Sequence, residues 1–344
     1  MTSSWQDVLR ARGASIEAGA VNHFGDAAAE LRAARDGSIV APLGHLGLIA
    51  CSGADAQTFL HGQLSNDVKQ LAPEHSEYAA YNSAKGRMLA NFLLWREGDA
   101  YLLELARSLL PAVQKRLTMF VLRAKVNLED VSEARPVLGL AGEAAAGALR
   151  EMFPALPQAA HQFVHDPVHG TLIALPGERF QLVAELESAE QLWRKLAAAL
   201  TPVGTPCWEW LEIRNGIPLI TPATQDQFVP QMANMELIGA VNFQKGCYPG
   251  QEIVARTQYL GQLKRRMVLA HVESETPPQA GDALFSSELE GQASGMVVNA
   301  QGAPDGGYDL LAVAQTTSIA HAALHFKSAD GPLLSIRPLP YPLT

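Results

Sequence analysis

Cysteine is scarce in this chain. Its 344 residues hold three, Cys51, Cys207 and Cys247, and no two of them form a CxxC pair. A zinc ribbon or a self-contained cluster site needs paired ligands, so neither is written locally. An odd, scattered set is not a disulfide framework, and a reducing compartment fits it best. Basic residues are in the minority, 26 Lys and Arg against 35 Asp and Glu, for a net charge of −9. That balance argues against a dedicated nucleic-acid binder, which shows a basic surplus or stripe. No apolar run approaches the roughly 20 residues of a membrane span. The opening MTSSWQDVLRARGASIEAGAV lacks a signal-peptide apolar core and carries acids that a transit peptide avoids, so a cytoplasmic protein is expected. GxGxxG, P-loop, HExxH and GxSxG patterns are all missing, which removes the usual supports for nucleotide-dependent and serine-hydrolase chemistry.

What remains is a chain 48% hydrophobic and only 7% aromatic, long enough for two or three domains. The first 35 or so residues are Ala-rich and amphipathic, a helix with a lead-in. SIVAPLGHLGLIACSG reads as strand, Gly turn, strand. Asp55 is placed to cap a helix through AQTFLHGQLSNDVKQLA, where Phe59, Leu60, Leu64 and Val68 recur at helical spacing. EYAAYNS, RMLANFLLWR and AYLLELA form a meander with turns at 84–86 and 97–99. Helices are expected near 107–120, over EAAAGALREMF and near 188–200, with strands at RAKVNLED, PVLGLAG, GTLIALP and RFQLVAEL. Trp208 to Asn215 reads as a helix stopped by Gly216. A weakly patterned loop covers 218–247, and short strands with Gly and Pro turns after 265 suggest a small β-barrel. The class is α+β.

The segment KGCYPGQE, Lys245 to Glu252, concentrates a thiol, a cation and a carboxylate between glycines. Pro249 suits the first position of a helix continuing through Gln251 and Glu252. Cys247 would then precede a helix N-terminus, where the dipole and Lys245 favour a thiolate, while Glu252 opposes it. Gly246 and Gly250 would let a ligand approach the backbone. A buried, inert thiol is the competing reading. Arg256, Lys264, Arg265 and Arg266 form a basic cluster that could receive an anionic tail, although a solvated face explains it more simply. His161, His165 and His169 recur every four residues, but Pro157, Pro167 and Gly170 break any helix there, and a surface loop is favoured over a zinc site.

KGCYPGQEIVAR resembles the signature of the YgfZ family, folate-binding proteins that assist iron–sulfur cluster assembly or repair. GADAQTFLHGQLSNDV, NSAKGRMLANFLLWR, WLEIRNGIPLI, DQFVPQMANMELIGAVNFQKGCYPGQE and the closing PLPYPL match in order, so the resemblance covers roughly 38–344. It implies an aminomethyltransferase (T-protein)-like fold: two interlocked α+β subdomains around a central hole, plus a C-terminal β-barrel. The expected division is a lead-in at 1–37, a folate-binding T-protein-like region at 38–264 and a barrel domain at 265–344. The resemblance also implies that Cys247 is the key functional residue. Lys245, Gly246, Tyr248, Gly250, Gln251, Glu252 and Arg256 would surround it, and tetrahydrofolate or another folate is the expected ligand.

Three departures qualify that picture. Family members use tryptophans at two places to hold folate; one matches Trp208, and the other falls near Leu46, where there is no aromatic. Arg214 stands where T-proteins carry a Glu; a guanidinium has only donors, so it cannot accept from a pterin, and pairing with a folate glutamate, Glu212 or Asp226 is expected instead. The T-protein's catalytic carboxylate falls near Ala90 and Asn91, neither ionisable, which leaves that transfer reaction without its proton carrier. The resemblance therefore implies a folate-binding accessory factor for iron–sulfur client or assembly proteins, supporting tRNA modification indirectly. It implies no direct nucleic-acid contact, no membrane and no permanently bound metal. The alternatives are a tetrahydrofolate-dependent aminomethyltransferase-like enzyme and a non-catalytic interaction scaffold.

Overall fold

The computed structural model describes residues 4–259, 261, 263–286, 291–321 and 323–343, so the first three residues of the expected lead-in lie outside it. The chain divides into two compact units, each assembled from separated segments. The first comprises Met1–Ala54, Leu71–Ser76 and Leu94–Trp208, and the second Asp55–Gln70, Glu77–Leu93 and Glu209–Thr344.

In the first unit the lead-in is more ordered than its composition suggests. Helix α1 (Trp5–Arg10) starts at a capping box, the Ser4 side chain accepting from the Asp7 N–H while the Asp7 carboxylate accepts from the Ser4 N–H. A hairpin of β1 (Ser15–Glu17) and β2 (Ala20–His23) follows, then α2 (Ala27–Asp36), capped by Asp26. Buried Glu30 of α2 accepts from the N–H groups of Phe24 and Gly204 at 2.7 and 2.8 Å, which satisfies its charge inside the unit. Strands β3 (Ile39–Pro42) and β4 (Leu46–Ser52) take the places expected of them on either side of the Gly44 turn.

Chain order then enters the second unit with α3 (Ala56–Gln63), β5 (Ser76–Asn82) and β6 (Met88–Glu97), the last crossing back into the first. The helix expected to run to residue 72 stops at Gln63, and Asp55 makes no capping hydrogen bond. Leu64 turns to an extended backbone and bridges to Tyr81. The reason is in the next residues. Ser65 donates to the Ala240 carbonyl at 2.6 Å, and the Asn66 amide donates to Tyr78 and Gly239 carbonyls. Short polar side chains that satisfy distant backbone compete with a helix and here win.

Back in the first unit come β7 (Ala100–Ala106), α4 (Leu110–Val121), β8 (Asn127–Asp130), β9 (Val137–Ala141) and α5 (Glu143–Arg150). They are followed by β10 (Phe163–Asp166), β11 (Gly170–Leu175), β12 (Arg179–Val183), α6 (Leu186–Ala199) and the short β13 (Thr201–Pro202). Strand β4 lies between β7 and β8. A six-stranded sheet runs in the order β10-β11-β12-β9-β3-β13, antiparallel except where β13 joins β3. Ala189, Leu192, Trp193 and Leu196 line one face of α6 at helical spacing and form a core with Val40, Leu138, Leu140 and Leu182 of the sheet. His165 lies on β10, a strand rather than the expected surface loop, and His169 accompanies Asp166 in the β10–β11 turn at 2.9 Å.

Helix α7 (Thr205–Arg214) spans the boundary between units and ends before Gly216, whose φ of +67° is the left-handed stop expected of it. The second unit finishes with α8 (Gln251–Tyr259), β14 (Arg265–Val272), β15 (Ala283–Phe285), β16 (Ala293–Gly302), β17 (Tyr308–Gln315), α9 (Thr316–Ala320), β18 (His325–Phe326) and β19 (Ser335–Arg337). The expected barrel is a curled, half-barrel sheet of six strands, ordered β18-β15-β16-β17-β14-β19. Val268, Ala270 and Val272 alternate along β14 and face Leu310, Ala312 and Ala314 of β17 in one core, the period of two that a one-sided sheet requires. Among the described residues no helix is long and apolar enough to cross a membrane.

Candidate functional site

The loop 218–247 owes its order to buried side chains rather than to pattern. Asn91 on β6 donates to the Pro218 carbonyl and accepts from the Ile220 N–H, both at 2.8 Å. The Gln231 amide donates to Val254 O and the Asn234 amide to Met267 O. This explains Asn91 physically. A carboxamide donates and accepts at once, whereas an ionised carboxylate only accepts, so this position serves the loop and not proton transfer.

The loop delivers Lys245 into the second unit's interior, where it is 7% exposed. Its ammonium donates to the carbonyls of His61 and Leu64, both at 2.5 Å, and lies 4.8 Å from the Tyr248 ring centroid. Those carbonyls end α3, so the cation sits at a helix C-terminus, where its charge is favoured. Burial pulls the Lys245 ammonium down to about 8, against the pull of Asp67 and Glu77. Burial and the neighbouring Asp67 push Glu77 up to about 7. His61 Nδ1 stands 3.0 Å from Asp67 Oδ1, off the line of a hydrogen bond, and burial followed by the Lys245 charge lowers the pKa of its imidazole.

Around this anchor the motif takes a shape different from the one expected. Helix α8 begins at Gln251, not Pro249, because Gly250 adopts φ +75° and turns the chain first. Cys247 therefore stands off the helix start, and the dipole argument for its thiolate weakens. Gly250 is no gap for a ligand: a Cβ there would lie 2.4 Å from the Gly86 Cα and 2.5 Å from the Ser83 carbonyl. The bare backbone instead lets this loop press on the β5–β6 turn. Gly246 is open, with only the His61 Nε2 within 4 Å of its missing side chain, at 3.4 Å. Gln251 donates back to the Lys245 carbonyl, Tyr248 is buried, and burial pushes its phenol up to about 12. Glu252 and Arg256 are exposed on α8.

Cys247 is exposed, whereas Cys51 and Cys207 are buried and burial pushes each of their thiols up to about 12. The basic cluster is split. Arg266 is bound to the Gln231 carbonyl and Glu236, leaving Lys264 and Arg265 exposed.

Trp208 belongs to the first unit, 0% exposed, with Gly139 against its six-membered ring and the Arg179 guanidinium 5.0 Å from its centroid. Arg214 pairs with Asp309 at 3.8 Å rather than with Asp226, which accepts from Ser83. A ring with no free face offers no stacking platform, and a guanidinium offers a pterin no acceptor. These two residues do not fit a folate ring in this arrangement. Leu46 faces a separate cavity of about 280 Å³ in the first unit. Among the described residues no three His, Cys, Asp or Glu side chains are grouped to hold a metal ion.

His61, Asp67 and Glu77 escaped the sequence reading, because their link to Lys245 spans up to 184 positions. The signal that could have found them is the polar run HGQLSND inside an otherwise apolar helical pattern.

The chain is similar to known proteins along most of its length. The GCVT N-terminal domain family matches residues 19–245. A protein of Photorhabdus laumondii named tRNA-modifying protein YgfZ is 34% identical over 300 residues, 86% of this chain and 90% of the relative. A protein of the same name from Yersinia pestis is 34% identical over 299 residues, with the same coverage. The crystal structure of the glycine cleavage system aminomethyltransferase T from Bartonella henselae shares the fold, with a TM-score of 0.75 and 18% identity over 97% of this chain and 96% of that one. On these matches and this fold, the chain belongs to the YgfZ family.

Proposed function

We propose that this protein is a cytoplasmic accessory factor that maintains iron–sulfur enzymes, among them enzymes of tRNA modification, through the thiol of Cys247. One observation carries the reading: of the three cysteines only Cys247 is exposed, and it lies on a loop tethered by the buried Lys245 and by the Gly250–Gly86 contact. Solvent access and a fixed backbone are what a thiol needs to engage a large partner. One thiolate supplies one ligand to iron, so the remaining ligands of any cluster come from the client or from a second copy. The aminomethyltransferase-like reading is disfavoured, because Asn91 is committed to the loop and carries no transferable proton at neutral pH.

Replacing Cys247 with Ser is expected to leave the melting temperature unchanged and to reduce the activity of an iron–sulfur tRNA methylthiotransferase in cells lacking the native gene by about tenfold, the loss of one essential ligand or nucleophile. Undiminished activity rejects the thiol role.

Folate binding is part of the proposal on the strength of the family resemblance, not of Trp208 or Arg214. Calorimetric titration with tetrahydrofolate, including its polyglutamylated form, is expected to show saturable binding in both wild type and the Cys247→Ser variant. Absence of heat in both leaves an accessory protein without a folate ligand.

A further inference from the structure

The end of α4 carries an apolar knob that the fold does not use. Leu110, Val113 and Leu117 are the buried face of this helix. Beyond them Met119, Phe120 and Leu122 are 68%, 45% and 87% exposed. Leu122 also has φ +49° with ψ −103°, a positive-φ backbone conformation that a residue other than glycine rarely adopts. Neither burial nor backbone preference explains a leucine at that point, whereas contact with another molecule does.

The surroundings state what kind of molecule. From residue 105 to 128 the chain has no Asp or Glu, but it holds Arg107, Lys115, Arg116, Arg123 and Lys125, in a protein of net charge −9. Lys115, Arg116 and Arg123 are exposed around the knob, with the Arg116 guanidinium 5.8 Å from the centroid of the Phe120 ring. An exposed apolar patch rimmed by polar residues marks a recognition surface, and the exposed charges next to this one on α4 and the turn after it are basic. We propose that this end of α4 docks a protein partner whose apolar pocket is rimmed by aspartate and glutamate.

Two of the three apolar side chains are aliphatic and find no stacking surface on a nucleic acid. An RNA or an anionic membrane would also extend its charge against the rest of an acidic molecule. A pocket confines its charge to the tip, within the roughly 8 Å over which charges act at physiological salt. This inference does not depend on the chemistry of Cys247.

The test places a photoreactive amino acid at position 122 of the full chain in living cells, with position 168 as control, since Val168 is 63% exposed in the same unit. The expected product is an adduct to one protein species through a peptide rich in Asp or Glu. Adding Lys115→Glu and Arg116→Glu should cut its yield about tenfold, since like charges then face each other. An adduct to RNA, lipid or a second copy overturns the proposal, as does a mapped peptide without acids. A yield no higher than at position 168, or one the charge reversals leave unchanged, overturns it equally.

Discussion

A Lys245→Met substitution is expected to destabilise the protein by about 2–4 kcal/mol, the cost of leaving two buried carbonyls without a charged donor. Methionine replaces the aliphatic stem at little change in volume, so packing is largely kept and the loss is electrostatic. The His61 and Leu64 carbonyls lose their shared partner at the end of α3, and Tyr248 loses the cation beside its ring. Asp67 and Glu77 lose the positive charge that offsets their proximity to each other. Urea unfolding followed by circular dichroism measures the change directly. A loss below about 1 kcal/mol, the net worth of one ordinary hydrogen bond, would mean that water replaces the ammonium and that Lys245 is not the anchor of the loop.

Gly250→Ala is expected to have the second large effect, of about 3 kcal/mol, and to cost function even though the thiol is intact. Two terms add. A side chain at φ +75° is strained by about 1–2 kcal/mol, and forcing a methyl group into closed packing costs about 1–3 kcal/mol. The clash is with backbone, the Gly86 Cα at 2.4 Å and its nitrogen at 2.5 Å, so no side chain can swing away to relieve it. The loop must move, and Cys247 moves with it. Gly246→Ala is the control, because its nearest neighbour is an imidazole nitrogen at 3.4 Å. Melting temperature and the rate of Cys247 alkylation by iodoacetamide, measured for both variants, separate the two cases. Equal behaviour of the two would remove the Gly250–Gly86 contact from the account of the site.

Strands and helices with strong periodicity were legible in the sequence. The meander of β5, β6 and β7, the apolar face of α6 and the Gly216 stop all lie where pattern and turn chemistry put them. Departures came where side chains serve distant backbone. Helix α3 ends early because Ser65 and Asn66 bind carbonyls more than 170 residues away, and helical spacing at Leu64 and Val68 cannot report that. Pro249 reads as a helix start by local rules, but Gly250 bends first to meet Gly86.

By itself the sequence determined the family, the α+β class, the prominence of KGCYPGQE and the absence of an ionisable group at Ala90 and Asn91. These are properties of residue identity and short-range spacing. Only the tertiary structure decided that Cys247 is the exposed thiol, that Lys245 is held between the carbonyls that end α3, and that Asn91 secures a loop. Burial and hydrogen bonding between residues more than a hundred positions apart depend on how the chain returns on itself, and no local pattern records that.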